Sequence, residues 1–241
     1  MESLKLQFGE NFIVQECLSQ HPYMAQFNNT SVNTIRVMTY RSLATNEVVI
    51  PNAILRVGAE GKDVDNAHAG GMFCGISANG VLGKYMCDYL GNKKKSFNGV
   101  DYSNSDFCIP NYNRVKEFAK EVADKVLHHR LLALDIMLDE QGNPKLIEVN
   151  VGGFSAWLFQ YTNGSAFGQY TDEVISFFEK RKNKCCKHSN HNNYGKQSKK
   201  WLLIANSIFA ANKKFLGFMY ILLSIPDRGL ASWRISPIIL C

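Results

Sequence analysis

The sequence predicts an α+β fold in which a mainly antiparallel sheet carries flanking helices. Strand-like and helix-like segments alternate between residues 10 and 180, with polar turns between them. The segments 131–138 and 145–150 are apolar runs joined by a short turn, which is typical of an antiparallel hairpin. The segment 112–128 instead has apolar residues at helical spacing. Together, these three observations predict the fold class.

Composition places the chain among globular proteins and excludes several classes of function. Of its 241 residues, 46% are hydrophobic and 20% are charged, which is the balance of a folded domain. The net charge of +6 comes largely from residues 179–200, so we predict no nucleic-acid partner. The seven cysteines are an odd number at irregular spacings, and no secretory signal follows Met1. We therefore predict reduced thiols and a cytoplasmic location.

In the N-terminal half, short apolar runs alternate with polar or glycine-rich turns. The patterns predict, in order, a strand at 10–17, a short helix at 18–27, strands at 33–41 and 47–57, a glycine-rich loop at 58–71, and strands at 72–77 and 82–89. The polar segment 90–110 follows. In a compact domain, a stretch of that length without secondary structure is usually functional or disordered.

The clearest helix is 112–128, because an apolar stripe runs along it. The stripe consists of Val115, Phe118, Ala119, Val122 and Val126. The two strands of the hairpin come next in the chain. A last amphipathic helix is predicted at 171–181.

The character of the chain changes after Arg181, where apolar residues become rare. We predict a folded domain at 1–181, a polar linker at 182–200 and an apolar tail of unreadable role at 201–241. An apolar stripe in the tail leaves three interpretations open, namely weak contact with a membrane surface, misplaced core, or a helix that faces a partner.

The linker contains residue types that bind Zn²⁺. They are Cys185, Cys186, His188 and His191. The two cysteines are adjacent, whereas zinc sites usually separate them by two to four residues, so the pattern does not favour a zinc site.

The hairpin carries the residues that point to chemistry. Side chains alternate between the two faces of a strand, so Ala133 and Asp135 share one face. In the partner strand, Glu148 and Asn150 share a face. If the turn is centred on residues 141–142, Asp135 lies directly opposite Glu148, and Asn150 lies opposite Ala133.

Two carboxylates directly opposite each other repel, so this pair needs a compensating cation or a shared proton. Mg²⁺ prefers oxygen ligands and commonly takes one or two carboxylates, and the amide of Asn150 adds a neutral oxygen. The sequence therefore predicts that Asp135, Glu148 and Asn150 bind Mg²⁺. The alternative is an ordinary surface hairpin with its acids in solvent. The aliphatic opposite face and the glycines after Asn150 favour the site.

Other polar residues have both a functional and a structural interpretation. Arg36 lies mid-strand and Arg56 closes the next strand, where a guanidinium suits phosphate or carboxylate recognition but also forms structural salt bridges. The loop 58–71 lacks the ending of a P-loop, although its backbone N–H groups could cover an anionic substrate. His68 could orient a substrate or transfer a proton, and is otherwise polar surface.

Taken together, these motifs resemble the ATP-grasp superfamily. The likeness rests on Leu134–Ile136 followed at a thirteen-step spacing by Glu148–Asn150, and on the stretches Val14–Glu16, Ser31–Val37 and Arg56–Gly71. The chain is most similar to the branch called sugar-transfer associated ATP-grasp proteins. The resemblance implies the C-terminal subdomain of the ATP-grasp fold.

The resemblance also implies a function and roles for single residues. The chain would be an ATP- and Mg²⁺-dependent ligase that joins a carboxylate to an amine through an acyl phosphate, in polysaccharide or cell-surface biosynthesis. Its partners would be a small carboxylate and an amine or sugar-linked substrate. The residues implied are Asp135, Glu148 and Asn150 for Mg²⁺, Gln15, Glu16, Asn66, Gly70 and Gly71 for the nucleotide, and Arg36, Arg56 and His68 for catalysis.

The sequence departs from the family in two respects. The earlier subdomain, which supplies phosphate-binding lysines, is expected to be missing, so a truncated, non-catalytic nucleotide-binding remnant or a partner-dependent module is the alternative function. In D-alanine–D-alanine ligases an arginine stands two residues before the metal-binding aspartate, where this chain has Ala133. Either Arg36 or Arg56 substitutes for that arginine, or the chemistry differs.

Overall fold

The computed structural model describes residues 18–62, 65–104, 106–152 and 154–188, together with residues 6, 9 and 16. For residues 182–188 it describes only the backbone. The predicted strand at 10–17, apart from Glu16, lies outside these residues, as do the zinc candidate His191 and the whole tail. Among the described residues, no helix is long and apolar enough to cross a membrane.

One seven-stranded antiparallel sheet dominates the described chain, which confirms the predicted fold class. The strands are β1 (Thr34–Arg41), β2 (Val48–Val57), β3 (Met72–Ile76), β4 (Met86–Cys87), β5 (Lys93–Lys94), β6 (Ser96–Phe97), β7 (Val100–Asp101), β8 (Leu131–Leu138) and β9 (Pro144–Asn150). The large sheet has the order β5-β4-β3-β2-β1-β8-β9, and β6 pairs with β7. Because β8 joins β1 from far along the chain, the hairpin β8–β9 lies beside the strands that carry the two arginines.

Helices cover both faces of the large sheet. They are α1 (Pro22–Ala25), α2 (Tyr112–Lys125), α3 (Ala156–Asn163) and α4 (Thr171–His188), with short 3₁₀ turns at Ala67–Ala69 and Gly168–Tyr170. On one face, Val115 and Ala119 of α2 are buried in the larger core against β1, β2 and β8. On the other, Leu158 and Phe159 of α3 pack on β2 and β3. The sheet is therefore apolar on both sides wherever a helix crosses it.

Two predicted elements are shorter in the structure than the sequence patterns indicate. The helix expected at 18–27 is reduced to α1, because Gln20 pairs instead with Asp139 as an isolated bridge. The strand expected at 82–89 is reduced to β4, since Leu82 forms only a single bridge with Ile76 before the chain turns. In both places, one tertiary contact replaces the regular element.

The polar segment 90–110, apart from residue 105, has secondary structure that its composition does not predict. It contains β5, β6 and β7, and its Tyr102 is fully buried. The Tyr102 ring stacks on Phe27, with 5.8 Å between ring centroids, and Phe107 meets Phe27 edge-on at 5.1 Å. A small aromatic core therefore organises a segment in which polar residues predominate.

The helix α3 was not predicted, because its sequence gives no amphipathic signal. Its residues, Ala-Trp-Leu-Phe-Gln-Tyr-Thr-Asn, are apolar around most of the circumference. Ser155 at its N-cap adopts a left-handed φ of 49° and makes no side-chain capping hydrogen bond. The packing of α3 on the sheet supplies what the local sequence does not.

Glu173 of α4 fastens the β1–β2 hairpin to the rest of the domain. Its Oε1 accepts hydrogen bonds from the hydroxyl of Tyr40 at 2.6 Å and from the backbone N–H of Leu43 at 2.5 Å. The hydroxyl of Ser42 donates to the same carboxylate at 3.1 Å. The Tyr40 hydrogen bond is the largest cause of a lowered pKa at Glu173, while burial raises the pKa of Tyr40 to about 12. The hairpin connection therefore depends on a charged acceptor.

Replacing Tyr40 with phenylalanine is expected to lower the free energy of unfolding by about 1 kcal/mol, because one hydrogen bond is lost. Since folding raises the pKa of Tyr40, its contribution is fully present below the unfolded pKa of about 10. It is lost as the pH rises towards about 12. Urea denaturation of the two proteins at pH 7 measures the difference. Tyr170→Phe is the control, because it removes a hydroxyl from a neighbouring tyrosine, whose ring lies 6.0 Å from that of Tyr40. An equal loss in both variants would contradict the assignment.

Candidate functional site

Four adjacent strands place charged side chains on the face of the sheet that α3 also covers. In the register, Thr34 of β1 lies opposite Arg56 of β2, and Arg36 of β1 lies opposite Asp135 of β8. Asp135 in turn lies opposite Glu148 of β9. Because directly opposed residues point to the same face, the strand order converts positions far apart in sequence into one cluster.

The predicted register of the hairpin is confirmed. Asp135 pairs with Glu148, and Ala133 pairs with Asn150. A register shift after Asp135 then sets Ile136 opposite Leu146. An extra residue of this kind is a β-bulge, which re-aims the side chains beside it. The bulge therefore lies immediately next to the two carboxylates.

Asp135 is held by two arginines. Its Oδ1 accepts from Nε of Arg36 at 2.7 Å, and its Oδ2 accepts from Nη2 of Arg36 at 2.6 Å. Nη1 of Arg56 donates to the same Oδ2 at 2.9 Å. All three side chains are at most 9% exposed. Burial opposes the charge of Arg36, but the hydrogen bonds and charge of Asp135 still raise its pKa.

These contacts change how the charge of Asp135 is compensated. The sequence predicts Mg²⁺ as the compensating cation, whereas in the structure two guanidinium groups already lie against the carboxylate. A bidentate arginine pair of this kind fixes direction as well as charge. Both Arg36 and Arg56 thus lie against Asp135, and the substitution of either for the arginine absent at position 133 stays a prediction.

Glu148 differs from Asp135 because no arginine or lysine pairs with it among the described residues. Its side chain is half-buried, and burial together with the charge of Asp135 raises its pKa. Nearby, Nδ2 of Asn150 is buried without a hydrogen bond of normal geometry within the described part of the chain. Glu148 therefore interacts with Asn150 and Asp135 but has no cationic side chain paired with it in the described part of the chain.

Comparison with known families identifies the protein's relatives. The sequence matches the family model of sugar-transfer associated ATP-grasp proteins over residues 6–175. The chain belongs to this family. A search of curated proteins found no match. Membership supports an ATP-dependent, ligase-like function in general, because ATP-grasp proteins generally use ATP and Mg²⁺.

The residues present on this ATP-grasp face fit a magnesium ion by their chemistry. Glu148 offers a carboxylate with no arginine or lysine partner among the described residues, and Asn150 offers an amide. Asp135 adds a second carboxylate directly opposite Glu148. The described residues contain no group of three or more His, Cys, Asp or Glu side chains arranged for a metal. Mg²⁺ does not need such a group, because it usually completes its shell with water and substrate phosphate.

Sequence reasoning assigned no role to two residues of this cluster, namely Asp65 and Thr34. Oδ1 of Asp65 forms an ion pair with Nη2 of Arg56 at 2.9 Å, and the hydroxyl of Thr34 donates to Oδ2 of Asp65. Burial raises the pKa of Asp65, and the charge of Arg56 opposes that rise. The sequence feature that pointed to Asp65 was its position beside Asn66 in the Arg56–Gly71 stretch.

The glycine-rich loop is docked on Arg56 rather than extended into solvent. Oδ1 of Asn66 accepts from Nη2 of Arg56 at 3.0 Å, and the N–H of Gly71 donates to the backbone carbonyl of Asn66 at 3.1 Å. Gly70 is exposed and adopts a φ of 94°, which other residues rarely reach. The structure thus brings Asn66 and Gly71 to the cluster, with Gly70 at its edge.

The remaining predicted site residues lie further out or outside the described chain. His68 is exposed, and its ring lies 5.4 Å from that of Tyr89 and 6.4 Å from that of Trp157. Glu16 is exposed, and Gln15 lies outside the described residues. The roles assigned to these three residues stay predictions.

Replacing Gly71 with alanine is expected to lower the free energy of unfolding by about 1–3 kcal/mol through overpacking. A Cβ there would lie 2.7 Å from the carbonyl oxygen of Asp65 and 2.9 Å from that of Asn66, and backbone cannot move as a side chain does. Urea denaturation measures the loss. Gly152→Ala is the control, because its Cβ would meet nothing within 4 Å. Equal stability of the two variants would show that the loop has room to relax.

Proposed function

We propose that this ATP-grasp protein binds Mg·ATP on the face formed by Arg36, Arg56, Asp135 and Glu148, and uses it to join a carboxylate to an amine. The observation that carries the proposal is the convergence of two guanidinium groups and two carboxylates from four adjacent strands, with no ion pair at Glu148 among the described residues. Phosphoryl transfer needs positioning and charge stabilisation more than covalent chemistry by the protein, and this face offers both.

The reaction has two steps in this proposal. A substrate carboxylate oxygen attacks the γ-phosphorus of ATP, and the bond to the β-γ bridging oxygen breaks, which yields an acyl phosphate and ADP. An amine then attacks the acyl carbon, loses a proton and displaces inorganic phosphate. When bound by Glu148 and Asn150, with Asp135, Mg²⁺ would neutralise phosphate charge. Arg36 and Arg56, whose N–H groups donate to Asp135, would place positive charge beside the same phosphates.

The substrate class in this proposal follows from the family. The chain belongs to a branch described as sugar-transfer associated. We therefore assign the carboxylate or the amine to a sugar-linked molecule of polysaccharide or cell-surface biosynthesis.

Calorimetric titration of ATP into the full chain, with and without Mg²⁺, tests the proposal. Binding that requires Mg²⁺ is expected. No binding by a protein that unfolds cooperatively in urea would refute the nucleotide site. Binding without release of phosphate across a panel of carboxylates and amines would instead support the alternative of a non-catalytic nucleotide-binding module, for which the pairing of both arginines with aspartates is the favouring observation.

A further inference from the structure

The guanidinium of Arg56 is held from two directions. Nη1 donates to Asp135 at 2.9 Å, while Nη2 pairs with Asp65 at 2.9 Å and donates to Asn66 at 3.0 Å. Arg36 has a single partner residue in this cluster, because both of its bonds go to Asp135. Arg56 is thus the more restrained arginine, and Asp65 is the second carboxylate that compensates its charge.

The second oxygen of Asp65 is also engaged. It accepts the hydroxyl of Thr34, which lies opposite Arg56 in the β1–β2 register. The carboxylate therefore joins the glycine-rich loop to two strands at once. The Asp65 side chain is 12% exposed, and that of Arg56 is 9% exposed, so both charges are largely removed from water. A carboxylate fixed at both oxygens is a rigid support for a planar donor fork.

A purely electrostatic role and a positioning role for Asp65 make opposite predictions. If Asp65 only contributed negative charge, its removal would strengthen the binding of an anionic phosphate chain near Arg56. If Asp65 instead fixes the direction of Arg56, its removal frees the guanidinium to rotate, and a bound phosphate loses a preorganised donor. The two roles are therefore separable by the sign of one affinity change.

We propose that Asp65 is a positioning residue for the ATP site, and that it acts by fixing the guanidinium of Arg56 towards the terminal phosphate of the nucleotide. Thr34 supports the same carboxylate through its hydroxyl. The proposal rests on the proposed function, since it requires that the site binds Mg·ATP.

A double-mutant cycle on the full chain tests the proposal, with calorimetric titration of Mg·ATP and of Mg·ADP. Asp65→Ala is expected to weaken Mg·ATP binding about tenfold, although it removes a negative charge, and to weaken Mg·ADP binding less. In the Arg56→Met background, Asp65→Ala is expected to change Mg·ATP binding less than twofold. A general loosening of the fold would instead act equally in both backgrounds. Unchanged or tighter binding in Asp65→Ala overturns the proposal, and so does an equal loss in both backgrounds.

Two further variants keep the test decisive. Asp124→Ala makes the same change in net charge at a carboxylate that is 61% exposed and paired with Arg41, and is expected to leave nucleotide affinity unchanged. Thr34→Val removes the hydroxyl that Asp65 accepts and keeps the side-chain shape, so it replaces Asp65→Ala if that variant does not fold. It is expected to weaken Mg·ATP binding about threefold, and an unchanged affinity overturns the proposal. A wild type that binds no Mg·ATP refutes the proposed function itself, which is a separate outcome.

Discussion

Asp135→Ala is expected to lower the free energy of unfolding by about 3–5 kcal/mol, the largest stability effect in the site. The side chain of Asp135 is 3% exposed and receives three hydrogen bonds from two arginines. Its removal leaves the buried guanidinium of Arg36 without a partner, and Arg56 keeps only Asp65 as an ion-pair partner within the described residues. An uncompensated buried charge costs far more than the pair contributes, because the desolvation has already occurred.

Urea denaturation of a small series measures this effect. In the double variant Arg36→Met/Asp135→Leu, both members of the buried pair are replaced by apolar groups, while Arg56 retains Asp65. This double variant is therefore expected to be more stable than Asp135→Ala. Asp124→Ala is the surface control and is expected to cost less than about 1 kcal/mol. A loss below about 1 kcal/mol in Asp135→Ala would mean that the two arginines find other compensation.

The hairpin was predictable because its information is local. Alternation along a strand assigns Asp135 and Glu148 to their faces. The turn alone does not set their pairing, because Leu138 lies opposite Pro144 beside the turn, and an unbroken ladder from there would place Ile147 opposite Asp135. The extra residue of the bulge brings Glu148 into that position, so the predicted pairing is correct although the bulge was not predicted.

The pairing of Arg36 with Asp135 was not predictable in the same way. The two residues are 99 positions apart, and they meet only because β8 lies next to β1 in the sheet. Local patterns do not determine strand order, so the sequence alone did not decide whether the arginines bind phosphate or form salt bridges. In the structure both arginines have salt bridges, and a role towards phosphate would build on those contacts.

The contacts of Asp65 were not predictable, for a different physical reason. It lies in a loop where glycine and polar residues suggest mobility, and its contacts with Thr34 and Arg56 arise only after the loop returns to the sheet. Burial of a charged loop residue depends on tertiary packing, which the periodicity of the local sequence does not indicate. The same limitation explains α3, whose packing on β2 and β3 replaces an amphipathic signal.

Glu148→Gln is expected to abolish Mg²⁺-dependent binding of ATP while leaving the fold intact. Glu148 is the carboxylate of the cluster without an ion pair among the described residues, so a divalent cation is its natural partner. The neutral amide retains the shape and loses the charge that attracts the ion. Calorimetry of Mg·ATP binding measures the loss, and spectroscopic titration of Mn²⁺ measures the metal site independently of nucleotide. Glu140→Gln makes the same substitution at the exposed turn of the hairpin and is expected to bind normally.

Glu148→Gln should not lower the free energy of unfolding at pH 7, although it abolishes binding. The reason is that burial and the charge of Asp135 raise the folded pKa of Glu148 above its usual 4.5. The folded protein then holds the Glu148 proton more tightly than the unfolded chain does. The free energy of unfolding consequently falls as the pH rises through the window from 4.5 to the raised folded pKa, and the penalty stays constant above it. Glu148→Gln lacks this titration, so at pH 7 it should equal or exceed the wild type in stability, with the difference shrinking as the pH falls through the same window towards 4.5. Full Mg·ATP binding by a stable Glu148→Gln protein would exclude Glu148 as a metal ligand, because the folded variant would then bind the nucleotide without that carboxylate.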